Sequence, residues 1–286
     1  FAIEENSEPK SLLSGLDWQL TLQENDGQVV EEKDIKISKA VTTQLKKEKK
    51  VNVIIKMKER PNYDSLQLNA QKKQTKKERV QEVKSSLQSK ANASQKGVLA
   101  SLQSLEKKGH AKFKQSLWIN NSIVATIDEE ALKDLEKRED IESIELDEIV
   151  QLPEFKVENS SPRLPEWGLE KIYATKVWED YGIKGKNVVV GIMDTGVDGT
   201  HEALKDNYRG KDGSHQYSWI DLSGQNYATP SDGNGHGTHV AGTAVGGGSG
   251  EPIGVAPEAE WIAAKIFNDS GSTTTSIIHE AFQWFI

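Results

Sequence analysis

The sequence predicts an α/β unit, a mostly parallel sheet with helices on both faces, preceded by a small α+β unit of antiparallel sheet plus helices. Val188 to Met193 is an unbroken apolar run, which suits a strand buried on both faces of a parallel sheet. From there strand-like and helix-like runs alternate to the end of the chain, the order that crossover connections require. Composition also changes sharply near residue 156. Residues 1–156 hold 27 acidic and 27 basic residues with four glycines, whereas residues 157–286 hold 17 and 9 with 19 glycines. The whole net charge of −8 therefore belongs to the second part, as do most of the tight turns that glycine permits.

Residues 1–46 alternate only weakly and hold turn-like patches such as Asn25-Asp26-Gly27, so they read as an extended lead-in. Residues 47–152 form the α+β unit. Val51, Val53 and Ile55 alternate with their neighbours as in a half-buried strand. Residues 74–108 lack proline and space Val80, Val83, Leu87, Val98, Leu102 and Leu105 as one or two amphipathic helices ending near Gly109. Leu117 to Ile127 reads as two strand-like stretches around a turn at Asn120-Asn121. Asp128 suits the N-cap of a helix carrying Ala131, Leu132 and Leu135, with Glu129 and Glu130 at its positive end. Ile141, Ile144 and Leu146 lead into a last strand. Residues 153–165, with Pro153, Pro162 and Pro165, are a linker. Residues 166–286 form the α/β unit, with a second buried strand from Trp261 to Phe267. Helices are expected over His239–Val245 and Ser276–Phe285.

Composition excludes several classes of function. There is no cysteine, hence no disulfide scaffold, cysteine nucleophile or thiolate metal site. A net charge of −8 argues against nucleic-acid binding, which needs a basic surface to neutralise phosphates. No run of ~18 apolar residues is present to span a membrane. The chain begins at Phe1 rather than Met, so residues upstream of it are expected, a removed signal peptide among the alternatives.

Two clusters could carry chemistry. Asp194-Thr195-Gly196-Val197 lies at the carboxyl end of the first buried strand, where open α/β sheets place their ligand crevices. Alone, Asp194 reads more simply as a turn or cap aspartate. Forty-two residues later comes His236-Gly237-Thr238-His239-Val240-Ala241-Gly242, a histidine just ahead of a helix built from small residues. Zinc is the other reading of two histidines three apart, with Asp198 as a third ligand. Against it, the order is not His-Glu-x-x-His and no glutamate is placed to activate water. Of the two histidines, His239 is assigned the structural part.

Taken together, these clusters resemble the subtilisin family (subtilases), and Gly254-Val255-Ala256-Pro257 ahead of the next strand extends the resemblance to roughly residues 163–286. The resemblance implies a secreted serine endopeptidase zymogen. Asp194 and His236 would be two members of an Asp-His-Ser triad, and residues 47–152 an inhibitory propeptide that blocks the cleft with its tail beyond Leu146. Protein or peptide substrates and an intramolecular propeptide–protease contact follow as partners. A processing cut is expected within residues 151–163. No Gly-Thr-Ser segment occurs in the sequence, so the serine, the oxyanion-hole asparagine and the strand lining the cleft are expected beyond Ile286. The Gly247-Gly248-Ser249-Gly250 run reads as a flexible turn, and His201 as structural. No cofactor is predicted. The family's calcium position nine residues after the aspartate is Ala203, so no metal ligand is assigned, and calcium stays open for the full-length enzyme. Substrate-binding residues are not assigned. The alternative reading is a propeptide-type inhibitor or chaperone module fused to a catalytically incomplete scaffold.

Overall fold

The structure, a computed structural model, describes residues 36–153, 167–247 and 252–286. Its first layer begins with α1 (Lys39–Leu45), β1 (Val51–Met57), α2 (Tyr63–Gln71), α3 (Lys76–Ser94) and α4 (Lys96–Lys107). It continues through β2 (Ala111–Leu117), β3 (Ser122–Ile127), α5 (Glu129–Glu136), β4 (Ile141–Leu146) and a short β5 (Ile149–Gln151). The four longer strands form an antiparallel sheet in the order β2-β3-β1-β4. The turn between β2 and β3 falls where the sequence puts it, with Asn121 at a φ of 52°. That is a left-handed conformation which asparagine tolerates better than most residues.

Helices cover one face of this sheet. Val98, Leu102 and Leu105 of α4 and Ala131, Leu132 and Leu135 of α5 pack against Val53, Ile55, Ile123 and Ile127, all buried. The Asp128 carboxylate accepts the Ala131 amide at 3.0 Å and so caps α5 as its sequence signature predicts. Two expectations need correction. Residues 1–46 read as extended, but Lys39–Leu45 is helical, capped by the Ser38 hydroxyl and anchored by Val41, which is fully buried in this core. Seven residues are too few for a periodic signal, so only tertiary burial reveals this helix. Val80, taken as part of an apolar stripe, is exposed; α3 reaches the core only through its later residues Leu87 and Ala91.

The second layer comprises α6 (Trp167–Lys171), α7 (Ala174–Tyr181), β6 (Val189–Asp194), β7 (Trp219–Asp221) and α8 (His236–Val245). After these come β8 (Glu260–Lys265), β9 (Ser272–Thr274) and α9 (Thr275–Phe285). β6, β8 and β7 form a parallel sheet in that order, with β8 in the middle. Burial follows position. Trp261, Ala263, Ala264 and Lys265 of the central strand are 0% exposed, whereas Val188 and Val189 at the start of β6 are 51% and 41% exposed. The apolar run thus marks a strand whose outer side is uncovered among the described residues, not one buried on both faces. The Asn187 backbone (φ 67°) and the Gly185 turn aim the chain into β6.

Candidate active site

Asp194 ends β6 and is 8% exposed. Its Oδ1 accepts the Thr195 amide at 2.7 Å and lies 2.7 Å from His236 Nδ1, the imidazole nitrogen donating. The histidine is not ahead of the helix, as its sequence suggested, but is the first residue of α8. The Gly235 backbone at φ 96° turns the chain into that helix, and His236 points back across the sheet end towards Asp194.

This approach depends on missing side chains. A Cβ added to Gly237 would strike the Gly196 carbonyl oxygen and come within 3.0 Å of Asp194 Cβ. Gly196 itself has a φ of 107°, and a Cβ there would collide with the Ser231 carbonyl. The two glycines therefore let strand end and helix start touch.

Polar residues that sequence reasoning missed complete the frame. Asp232 accepts from the Thr195 hydroxyl (2.9 Å) and the Asn234 and Gly235 amides (3.1 and 2.9 Å) on one oxygen. On the other it accepts the Thr238 amide and hydroxyl (2.9 and 2.7 Å). Burial pushes the Asp232 carboxyl up, but these donors outweigh it and hold the group below the usual aspartate range. Its position four residues before His236, between turn-forming residues, is the available sequence signal. Lys265 is wholly buried, and its Nζ donates to the Thr195 carbonyl (2.6 Å) and to Asp269 (2.9 Å). That hydrogen bond, against some desolvation and with further donors from Tyr227 and Gln225, lowers the Asp269 carboxyl to about 2.

Other residues singled out by sequence lie apart from this frame. The His239 side chain, assigned the structural part from the sequence, is exposed. His201 Nδ1 accepts the Ala203 amide at 3.2 Å and closes a turn. The Ala203 carbonyl accepts the Gly247 amide at 2.9 Å; Gly248 to Glu251, and residues 154–163 of the expected processing region 151–163, lie outside the described residues. Among the described residues no group of three or more His, Asp or Glu is placed to hold a metal ion. Nor is any helix among them long and apolar enough to cross a membrane.

The sheet of the first layer reaches this region through its tail. β5 pairs antiparallel with β9, Ile149 opposite Thr274 and Gln151 opposite Ser272, and the Leu152 amide continues the ladder to the Gly271 carbonyl at 2.8 Å. A Cβ on Gly271 would sit 3.3 Å from Leu152 Cβ and 3.9 Å from Asn234 Nδ2, so the tail runs towards the turn carrying His236. A strand that accepts an extended segment is therefore present in β9. Three more contacts flank the ladder. Asp147 caps α9, accepting the Ser276 amide at 2.9 Å and its hydroxyl at 2.7 Å. Gln283 Oε1 accepts the Trp118 amide at 2.5 Å, and Asn120 Nδ2 donates to His279 Nδ1 at 3.0 Å.

Residues 185–286 match the subtilase family, and residues 52–153 match the peptidase inhibitor I9 family. The chain carries a subtilase domain behind an I9 domain. Bacillopeptidase F of Bacillus subtilis (strain 168) is 32% identical over 281 residues, covering 88% of this chain and 19% of that protein. Subtilisin E of the same organism is 32% identical over 218 residues, 76% of this chain and 50% of that protein. The chain thus spans half or less of either relative. The crystal structure of the epidermin leader peptide processing serine protease from Staphylococcus aureus superposes with a TM-score of 0.52 over 82% of this chain and 46% of that one. At 17% identity this is a likeness of fold. Within the subtilase domain, Asp194 and His236 lie on its strand end and helix start. The I9 domain supplies β5, Asp147 and the Trp118–Asn121 turn that rest on it.

The His279 contact is expected to make this docking sensitive to pH. Burial foremost, then the nearby Lys56, hold the His279 imidazole below its ordinary value, and Asp147 opposes them weakly. Lys56 is itself paired with Glu145. Glu148 follows in the chain and accepts the Thr275 amide through its carbonyl. A base whose value is depressed on docking stabilises the docked state fully above its free value, about 6.5, and loses that contribution as pH falls through it. Glu280, raised by burial against a hydrogen bond from Gln115, acts oppositely, and only from the ordinary carboxylate range upwards to its raised value. The expected result is faster hydrogen exchange at the Trp118 amide, corrected for intrinsic rate, as pH falls from 7.5 to 6, with the dependence flattened in His279→Gln. An equal acceleration in that variant would count against it.

Proposed function

We propose that these residues are the propeptide and the leading part of the catalytic domain of a secreted subtilisin-like serine endopeptidase, made as an inactive zymogen. The observation that carries this is the 2.7 Å contact between His236 Nδ1 and a buried Asp194 carboxylate at a strand end, inside a segment that matches subtilases. In this reading Asp194 fixes the imidazole tautomer with Nδ1 protonated and stabilises the imidazolium. His236 Nε2 then takes the proton of a serine hydroxyl and later returns it to the leaving amine. The nucleophile is placed outside these 286 residues, because the sequence holds no Gly-Thr-Ser segment.

Residues 47–152 act as the inhibitory domain. An extended strand seated on β9 occupies the place of a substrate backbone, as peptide recognition by strand addition requires. Processing falls in residues 151–163, a range that begins at the end of this ladder with Gln151 and Leu152. Peptides and proteins are the substrates; no metal ligand is assigned, and calcium in the longer protein is left to its remaining residues. The test is hydrolysis of casein. The longer protein should cleave it and be stopped by a serine-directed inhibitor, whereas the purified 286-residue chain should not cleave it. Inhibitor-sensitive cleavage by the 286-residue chain would overturn the placement of the serine, and no cleavage by the processed longer protein would overturn the function.

A further inference from the structure

The carboxylate of Asp232 contacts residues beside both members of the Asp194–His236 pair without touching either member. One oxygen accepts the hydroxyl of Thr195, the residue directly after Asp194. The same hydroxyl oxygen accepts the amide of Gly237, the residue directly after His236. The other oxygen accepts the amide and hydroxyl of Thr238, and the Thr238 hydroxyl in turn accepts the Asp198 amide at 3.0 Å. Strand end, loop and helix start are therefore joined through a single anion.

We propose that Asp232 is a positioning residue for the Asp194–His236 pair, holding Thr195 and the first turn of α8 so that one oxygen of Asp194 faces His236 Nδ1. The physical reason is geometric. Asp194 Oδ1 is shared between the Thr195 amide and the imidazole, so any rotation of the Thr195 peptide moves the oxygen that the histidine needs. Thr195 is fixed at two points, its hydroxyl by Asp232 and its carbonyl by Lys265 Nζ, which is why that peptide cannot rotate freely. Charge-assisted hydrogen bonds such as those to Asp232 are about twice as strong as neutral ones. An Asp232→Asn side chain keeps the shape but turns one acceptor into a donor facing donors. Thr195→Val changes no charge and breaks only the bridge between Asp232, Thr195 and Gly237.

The inference rests on the proposed catalytic role of the pair, and the experiment separates the two. In the 286-residue chain, the Nδ1 proton of His236 is followed by NMR, its resonance assigned by loss in His236→Ala. Wild type should show a low-field signal. Asp232→Asn and Thr195→Val should move it towards the ordinary imidazole range, with circular dichroism unchanged. In the longer, active protein the same two variants should lose roughly 10- to 100-fold in kcat with KM within about threefold, and the double variant should lose no more than Asp232→Asn alone. Variants that melt earlier but keep the wild-type signal and kcat would show a merely structural role and overturn the proposal. If Asp194→Asn and His236→Ala themselves keep full activity, the catalytic reading fails whatever the resonance shows.

Discussion

Expressed alone, residues 163–286 are expected to be insoluble or to lack a cooperative melting transition, while residues 47–152 remain soluble and folded. The difference is in what each sheet covers. In residues 47–152 the four-stranded sheet keeps α4 and α5 over its core and loses α1 with Val41 and Leu45; in the whole chain Val53, Ile55, Ile123, Ile127 and Leu102 have no exposed area. In the subtilase domain the β6 edge exposes Val188 and Val189, and Trp167, Ile172, Tyr173, Tyr181 and Ile183 of the preceding segment are all more than half exposed. Apolar surface beside an unpaired strand edge is an aggregation hazard. Removing the I9 domain would add the β9 edge to it, together with the α9 surface around His279 and Gln283 and the Val150 and Leu152 contacts. Sedimentation and circular dichroism of the two separately expressed pieces check this, and a soluble, cooperatively melting 163–286 would contradict it.

What the sequence made legible was local. Asp128 ahead of Ala131 and Leu135 announces its helix because a capping side chain and an apolar spacing act within one turn. The Asn120-Asn121 turn is readable for the same reason, and so is the strand ending at Asp194. The pair Asp194 and His236 is also legible, because close approach needs glycines next to both, and Gly196 and Gly237 are written into the motifs.

The rest depends on pairing across long separations. Nothing around Val188 says that β6 lies at the side of its sheet rather than in the middle, since strand order is not encoded in any one strand. β9 is three residues, Ser272 to Thr274, too short to alternate, and it becomes a strand only because Ile149 to Gln151 lies against it. Lys265 is a lone lysine inside the apolar run Trp261 to Phe267; its buried role appears only once Thr195 and Asp269 meet its ammonium. Asp232 reads as one more turn aspartate until the fold brings Thr195 to it.

The central claim, that the Asp194–His236 contact is catalytic, has the largest expected effect. Without the imidazole no group is placed to take the serine proton, and without the Asp194 carboxylate the ring loses the partner that sets its tautomer. In the longer, processed protein His236→Ala should therefore lower kcat by roughly 10⁴–10⁶-fold and Asp194→Asn by roughly 10⁴-fold, with KM little changed. His239, three residues on and exposed on the same helix, is the internal control: His239→Ala should keep kcat within about threefold and, being exposed, leave the melting temperature nearly unmoved. The deciding measurement is kcat for His236→Ala and His239→Ala side by side on one peptide substrate, at a temperature where both are folded. A loss confined to His236→Ala is the predicted result; an equal loss in both, or none in His236→Ala, would contradict it.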